Sequence, residues 1–394
     1  MSVYLLLTCF TAFAAFFVRT GEDMRDVVFF GKAAAADRRR FLNGVCLTAI
    51  FTALFLVSSF RVGIGNDYYK YVEFVNRITF DAYVPTEPGF NALVRVCGLL
   101  FGKENYVAVF SVMAFFTVFL FLKAIYELSD DFFLSFVLFM TLGYYFQSLN
   151  TIRYYLALAL ALYSIRYLPV GEKNSPARGA WGRWTACVLL AALFHKSALV
   201  TLPFYFLASR RLGRRMLCGG TLLAALFFLS SYFFRDVYLK LFLRLYPSYE
   251  RTGELSGGTS VANILRCIGV LLFAAFVLWR QSGALTEGRG FYERHHFYLL
   301  CAYGALLLYV FGQTIPQISR IGYYLTVTQL IFIPRLLSEL PGDKARRFVG
   351  VLLCVAACGY FALFLRRARA DEIGIVPYRS ILFTEPRDYR GTWE

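Results

Sequence analysis

The sequence predicts an all-α polytopic integral membrane protein. Residues 1–394 form a single transmembrane domain of about 12 transmembrane or half-membrane helices, with interfacial helices on the outer face. Three observations predict this. Of 394 residues, 58% are hydrophobic and 17% charged, where an ordinary soluble domain carries about 25% charged residues. Mean hydropathy is +0.56. The apolar residues fall in long blocks separated by short basic loops, the pattern of helices that each cross a bilayer.

The candidate spans follow in order. Residues 3–18 come first; no basic stretch precedes them and no A-x-A site follows, so they read as a first helix rather than a cleaved signal. Then come 41–60, 106–125, 132–148 and 151–167. The next pair, 184–194 and 196–208, is unusual, because each piece is shorter than the ~20 residues of a crossing. They read either as a hairpin with its apex at His195-Lys196 or as one long tilted helix. The remaining spans are 217–234, 261–280, 295–312, 320–338 and 348–365.

Loop charge chooses between hairpin and long helix. Basic residues crowd loops 19–40 (Arg19, Arg25, Lys32, Arg38, Arg39, Arg40) and 169–183 (Lys173, Arg178, Arg183). They also crowd 209–216 (Arg210, Arg211, Arg214, Arg215) and 339–347 (Lys344, Arg346, Arg347). These four loops share the cytoplasmic side only if 184–208 returns to the side it left, which favours the hairpin and puts both chain ends outside. The outer face then carries 61–105, 235–260 and the tail 366–394. Within these, TEPGFNALVRVCGLLFG predicts a short helix in or dipping into the interface, and RDVYLKLFLRLYPSYERTGELSGG reads as interfacial.

The net charge of +16 belongs largely to those loops, so the partner it implies is the lipid bilayer and not nucleic acid. The nine cysteines show no CxxC and no ligand spacing with His; Cys46, Cys97, Cys187, Cys267, Cys301, Cys354 and Cys358 read as small packing residues. There is no Walker loop, no GxGxxG after a strand, no GxSxG and no HExxH, which argues against ATP-driven transport by this chain alone.

Charged groups at or below the membrane surface are costly, so each is a functional candidate. They are Arg61, Asp67, Arg153, His195, Lys196, Arg266 and Arg320; on the predicted topology all but Arg266 lie near one face. Cations converging there suit an anionic head group such as a pyrophosphate. In FRVGIGNDYYKY, Arg61 closes a helix, Gly63 and Gly65 allow a sharp turn, and Asp67 is placed to cap a short helix; a snorkelling arginine and a plain cap explain the same residues. In QSLNTIRYY, Ser148 or Asn150 is placed to cap a helix starting near Thr151, whose first-turn N–H groups and Arg153 form an anion site, or else Arg153 is an interfacial arginine. In FHKSAL, His195 has the reference pKa, ~6.5, of a base for a sugar hydroxyl, and Lys196 suits a phosphate. PQISRIGYY places Arg320 at a helix start, as a ligand or as a belt anchor. His295-His296, in YERHH, has no carboxylate or cysteine at ligand spacing and reads as interfacial. No cofactor is predicted and no metal site is found, although a divalent ion stays open.

Together these stretches resemble the EpsG family. The carriers are R-x-G-x-x-x-D-Y-x-x-Y at 61–71, E-P-x-F at 87–90, Q-x-x-x-x-x-R-Y-x-x-A at 147–157, F-H-K-S-A-L at 194–199, R-x-x-Y-Y at 320–324 and the tail VPYRSILF at 376–383. EpsG proteins resemble the Wzy polymerases of exopolysaccharide, capsule and O-antigen synthesis. The resemblance implies a multi-pass protein of the bacterial inner (cytoplasmic) membrane. Its substrate would be oligosaccharide repeat units on undecaprenyl pyrophosphate, and its reaction glycosyl transfer with undecaprenyl pyrophosphate as leaving group. Partners would be that lipid-linked glycan, and a chain-length regulator and a flippase of the same pathway. On this reading Arg153, Arg61, Lys196 and Arg320 hold the pyrophosphate, His195 is the base with Asp67 second, and Tyr68, Tyr71 and Tyr154 line the sugar site, with Gln147 beside them. A lipid-linked oligosaccharide flippase would show repeated halves, which are not seen; a ligase or multispanning glycosyltransferase would use the same clamp with another acceptor.

Overall fold

The computed structural model describes residues 1–20, 33–170, 179–209, 213–245, 261–281, 285–311, 318–368 and 373–383. Among them every named element is helical. The basic residues Arg25, Lys32, Lys173, Arg178, Arg210 and Arg211, residues 246–260 of the segment expected at the outer face and the last residues 384–394 lie outside the described set. The chain divides into two compact units: a terminal unit, Met1–Ala159 with Val349–Glu394, and a central unit, Leu160–Phe348.

Four helices are long and apolar enough to cross a membrane: Arg38–Ser59, Tyr106–Leu128, Val261–Gln281 and Asp343–Arg367. Large side chains such as Leu272, Phe348 and Val355 stand exposed on them, which lipid satisfies and water does not. The protein is therefore an all-helical, multi-pass membrane protein. Of the other predicted spans, 217–234 and 295–312 correspond to the continuous helices Arg214–Phe233 and Leu285–Phe311, and the rest are shorter or interrupted. Residues 132–148 become Phe132–Thr141 and Tyr144–Ser148, and 320–338 become Ile318–Thr326 and Gln329–Ser338. The first break is at Gly143, whose φ of +81° only glycine adopts without strain, and where an added Cβ would lie 2.9 Å from the Phe364 ring.

In the terminal unit, Ser2–Phe16 packs against Ala33–Ser59 and Phe132–Thr141, and Ala33–Ser59 packs against Tyr106–Leu128. Segment 61–105 holds the two short helices expected after Asp67 and within TEPGFNALVRVCGLLFG, Tyr68–Thr79 and Pro88–Phe101; they pack on each other and on Tyr106–Leu128. Asn105 and Asp131 cap the helices that follow them, accepting from Ala108 N–H at 2.9 Å and Leu134 N–H at 3.0 Å.

The tail folds back on this unit. Val62 N–H donates to Arg379 O (3.0 Å), Ile381 N–H to Phe60 O (2.9 Å), Gly65 N–H to Gly374 O (3.0 Å) and Asn66 N–H to Ile373 O (3.2 Å). Arg61 and Ser380 form an isolated antiparallel bridge. The Tyr378 hydroxyl donates to Val57 O at 3.1 Å, and the Tyr4 hydroxyl to Ile375 O at 2.7 Å. The N-terminal Tyr4 and the tail thus lie at the same end of the unit as Arg61.

In the central unit the chain turns back at His195. The helix Ala180–Ala192 ends, His195 is extended (φ −155°, ψ 111°), and a 3-10 turn over Lys196–Thr201 leads to the helix Phe204–Ser209. The Phe204 ring stacks on Trp184, near the start of the first arm, with centroids 6.5 Å apart. This is the hairpin and not the single long helix. Arg214–Phe233, Val261–Gln281 and the short helices Ile318–Thr326 and Gln329–Ser338 gather on Leu285–Phe311 or on each other.

Candidate active site

In the terminal unit the turn at Gly65 (φ +91°) brings two motifs together. An added Cβ there would lie 2.8 Å from Asn150 Cα, so only glycine permits this approach. It lets Asp67 N–H donate to Asn150 Oδ1 at 3.0 Å. Asn150 is spent on this link, and the Ser148 hydroxyl donates back to Tyr145 O at 2.5 Å. The predicted cap of the next helix by Ser148 or Asn150 is therefore replaced: the tertiary link across to Asp67 takes one side chain, the local turn the other. Asp67 occupies the N-cap position of Tyr68–Thr79 but makes no side-chain capping bond there. Its carboxylate acts instead on the Arg153 guanidinium.

Arg61 and Arg153 are held differently. Arg61 is only 2% exposed. Its Nε donates to Leu149 O at 3.1 Å, an Nη1 bond goes to Ser58 O, and its plane lies 4.8 Å from the Phe110 ring centroid. Ser58 Oγ in turn meets the Tyr145 hydroxyl at 3.1 Å, which donates to Leu54 O at 2.8 Å. Donors engaged by main-chain carbonyls brace a helix end. These bonds serve the end of helix Ala33–Ser59, whose last carbonyls need donors, and stand beside the predicted pyrophosphate role of Arg61 rather than against it.

Arg153, on Ile152–Ser164, is 14% exposed in its side chain and pairs with Glu87, whose side chain is 13% exposed. The guanidinium lies 5.7 Å from the Tyr71 ring centroid and 5.5 Å from that of Phe90. Its buried Nε has no hydrogen bond among the described residues. Pro88 at the first turn of its helix biases Glu87 to extended backbone (φ −72°, ψ 150°). Tyr68, Tyr71 and Tyr154 are all buried: Tyr68 packs edge-on to Tyr106, Tyr71 to Phe90, and Tyr154 to Tyr155. Gln147 accepts from the Tyr155 hydroxyl at 2.8 Å. The result is a guanidinium packed beside two neighbouring aromatic rings and paired with a carboxylate, a geometry suited to carboxylate or phosphate.

In the central unit His195 is 6% exposed. Its Nδ1 lies 2.6 Å from Ser197 Oγ, and Ser197 Oγ lies 3.1 Å from the Tyr324 hydroxyl. The chain His195–Ser197–Tyr324 thus joins FHKSAL to the late R-x-x-Y-Y stretch. Lys196 opens the 3-10 turn, half-buried. Arg320 is half-buried one helical turn before Tyr324, on the same side of Ile318–Thr326. A hydrogen bond to one ring nitrogen orients the ring and aims the other nitrogen, which suits a positioned base.

His295 overturns its interfacial reading. It is fully buried, with Nε2 2.9 Å from Glu339 Oε1 and its ring against Phe291 and Phe332. Arg294 also meets both Glu339 oxygens at 3.3 Å, and Gln281 Nε2 donates to Glu339 O at 2.8 Å. The carboxylate closes the end of Gln329–Ser338 and ties three helices together, a contact that sequence spacing did not reveal. Burial works to raise the Glu339 pKa, but the bond and charge of His295, then those of Arg294, hold it down at about 2. Among the described residues no group of three His, Cys, Asp or Glu gathers.

Three partners escaped the sequence reading: Glu87, Ser197 and Glu339. Two lay within quoted motifs, the E of E-P-x-F and the S of F-H-K-S-A-L. No curated protein matches this chain, and no solved structure does. A family model does match, over residues 44–380, which include both clusters, the hairpin and the fold-back of the tail as far as Ser380. The protein belongs to the EpsG family, which is associated with polysaccharide polymerisation.

Proposed function

We propose that the protein joins oligosaccharide repeat units carried on undecaprenyl pyrophosphate into a long polysaccharide (exopolysaccharide, capsule or O-antigen) at the outer face of the bacterial inner membrane. A terminal hydroxyl of one repeat unit attacks the anomeric carbon of the growing chain. The new glycosidic C–O bond forms, the bond from that carbon to the pyrophosphate oxygen breaks, and undecaprenyl pyrophosphate leaves with its charge. The hydroxyl proton goes to a base.

Such a leaving group calls for fixed cations placed where charge develops. In the terminal unit Arg153 takes that role, with Arg61, which also braces the turn that carries Asp67; in the central unit the candidate cations are Lys196 and Arg320. His195, oriented by Ser197, takes the proton, and Asp67 is the second candidate. Tyr68, Tyr71 and Tyr154 form the aromatic wall, with Gln147 behind it. A chain-length regulator and a flippase would act with the protein in the same pathway. The observation that carries the reading is the Arg153 cluster, an aromatic-walled guanidinium on the family's Q-x-x-x-x-x-R-Y stretch.

The test compares lipid-linked and surface glycans in a strain lacking the gene with the same strain complemented by wild type. Loss of long chains, with single repeat units still reaching the outer face, is the expected result. Repeat units trapped on the inner face would instead identify a flippase, and full-length polymer left on its lipid would identify a ligase.

A further inference from the structure

We propose that the tail, residues 373–383, is a working part of the site: docked on residues 60–66, it sets the position of the Asp67 turn against the stretch that leads to Arg153, with Gly374 as its positioning residue. The proposal rests on the reading of Asp67, Arg61 and Arg153 as site residues. All of them lie in the terminal unit, as does the tail.

Residues 60–67 join helix Ala33–Ser59 to helix Tyr68–Thr79. Gly63 (φ +60°) and Gly65 (φ +91°) lie in the left-handed region. Glycine leaves the backbone many alternatives, so the shape of this turn is imposed by what it touches. One neighbour is the stretch before Arg153. Arg61 Nε donates to Leu149 O at 3.1 Å, and Asp67 N–H to Asn150 Oδ1 at 3.0 Å. The other neighbour is the tail, which accepts from the N–H groups of Val62, Gly65 and Asn66 and donates from Ile381 N–H to Phe60 O. Gly65 meets both. Its N–H lies 3.0 Å from Gly374 O, while an added Cβ would lie 2.8 Å from Asn150 Cα. A shift of the tail therefore moves Gly65 and Asn66, and with them Asp67, the next residue along.

The tail is itself held in register. The Tyr4 hydroxyl donates to Ile375 O at 2.7 Å, the Tyr378 hydroxyl to Val57 O at 3.1 Å, and Val376 N–H to Ala368 O at 3.0 Å. Ile375 is fully buried, and Ser380 is buried where it bridges to Arg61. Gly374 (φ +68°) comes close to the turn, and an added Cβ would lie 2.6 Å from Asn66 Oδ1. That oxygen ends a side chain and can turn aside. The backbone has no such freedom: a β-branched residue is strained at this φ, and relieving the strain moves the carbonyl that accepts from Gly65. Displacing reacting groups by about 1 Å costs up to about 100-fold in rate. Gly374 touches no substrate; it acts through the turn that carries Arg61 and Asp67.

The experiment uses the full-length protein in lipid nanodiscs, with inorganic pyrophosphate as the probe, titrated calorimetrically at pH 7. Calorimetry reads stoichiometry and Kd separately. Loss of folded protein lowers the stoichiometry and leaves Kd alone, whereas a displaced turn changes Kd. Gly374→Val is expected to weaken pyrophosphate binding about tenfold at unchanged stoichiometry, and to lower kcat/KM with the lipid-linked substrate by about as much or more. Gly374→Asn, which tolerates a positive φ, is expected to stay within about threefold of wild type. Tyr4→Phe/Tyr378→Phe removes only the two hydroxyls that hold the tail and is expected to weaken binding about threefold; it carries the test if Gly374→Val does not reach the membrane. Wild-type Kd in Gly374→Val or, failing that variant, in Tyr4→Phe/Tyr378→Phe, with binding abolished in Arg153→Ala, would overturn the role of the tail and leave the anion site standing. A fall in stoichiometry at constant Kd would overturn it as well, since the tail would then only stabilise the fold. Equal losses in Gly374→Val and Gly374→Asn would overturn Gly374 as the positioning residue. Undiminished binding in Arg153→Ala would remove the anion site itself, and with it the reading on which the proposal rests.

Discussion

In the terminal unit the candidate residues are held by groups far away in sequence: the Arg61 side chain by Leu149 O, the Asp67 backbone N–H by Asn150, the Arg153 side chain by Glu87. In the central unit His195 is fixed by Ser197, two residues along, with Tyr324 as the distant support. The first arrangement couples site to fold. A bond that closes a long loop is made only when the whole unit is assembled, and losing it costs both. The second is a local turn, so its polar groups are open to change with less effect on folding.

This contrast can be broken most sharply at the two arginines. Arg153→Ala should abolish polymer, a loss of at least ~100-fold in rate, while the protein still reaches the membrane at near wild-type abundance. Arg153→Lys should stay poor, because a point charge does not reproduce the planar fork. Normal polymer length in either variant would remove Arg153 from the site. Arg61→Ala should act on folding instead. It strands the carbonyls of Ser58 and Leu149 and opens space beside Phe110, at a cost on the order of 3–5 kcal/mol. Thermal unfolding in detergent reads this, and a wild-type melting curve without polymer would show that Arg61 serves the ligand directly.

The central unit should respond in the opposite sense. Ser197→Ala should slow polymerisation about tenfold and move its pH profile, since the His195 ring loses the bond that orients it, with membrane abundance unchanged. A pH profile superimposable on wild type would leave His195 without a part in proton transfer. The smallest effect is expected at Glu339. Glu339→Gln should lower stability by about 1–3 kcal/mol through the weakened bonds to His295 and Arg294, measured by thermal unfolding at pH 7. The folded-state pKa is depressed to about 2. Its stabilising contribution is therefore present in full above the ordinary carboxylate range and is lost as pH falls through about 2. The wild-type and Glu339→Gln curves should converge on acidification; a gap that widened instead would give the carboxylate the wrong sign.

The two units also differ in how much of them the sequence showed. The hairpin at His195-Lys196 was legible because two apolar blocks too short to cross stood between basic loops, and the structure bends there. The breaks at Gly143 and after Thr326 were not legible, because hydropathy is averaged over a span and does not record where the backbone turns. Ser148, Asn150 and Asp67 were placed correctly beside helix starts, but capping chemistry and tertiary bonding draw on the same side-chain oxygens, and for Asn150 the tertiary partner won.

The sequence by itself determined that this is a helical membrane protein of the EpsG type, and which motifs hold its charged residues. Hydropathy and charge are properties of each segment alone, and the bilayer reads them directly. Only the tertiary structure decided that Arg61 is a brace, that Arg153 faces Glu87, that Ser197 joins His195 to Tyr324, and that the tail lies along residues 60–66. Each of those depends on which donor meets which acceptor across 66 or more residues or across a turn, and a buried polar group takes whichever partner the packing brings to it.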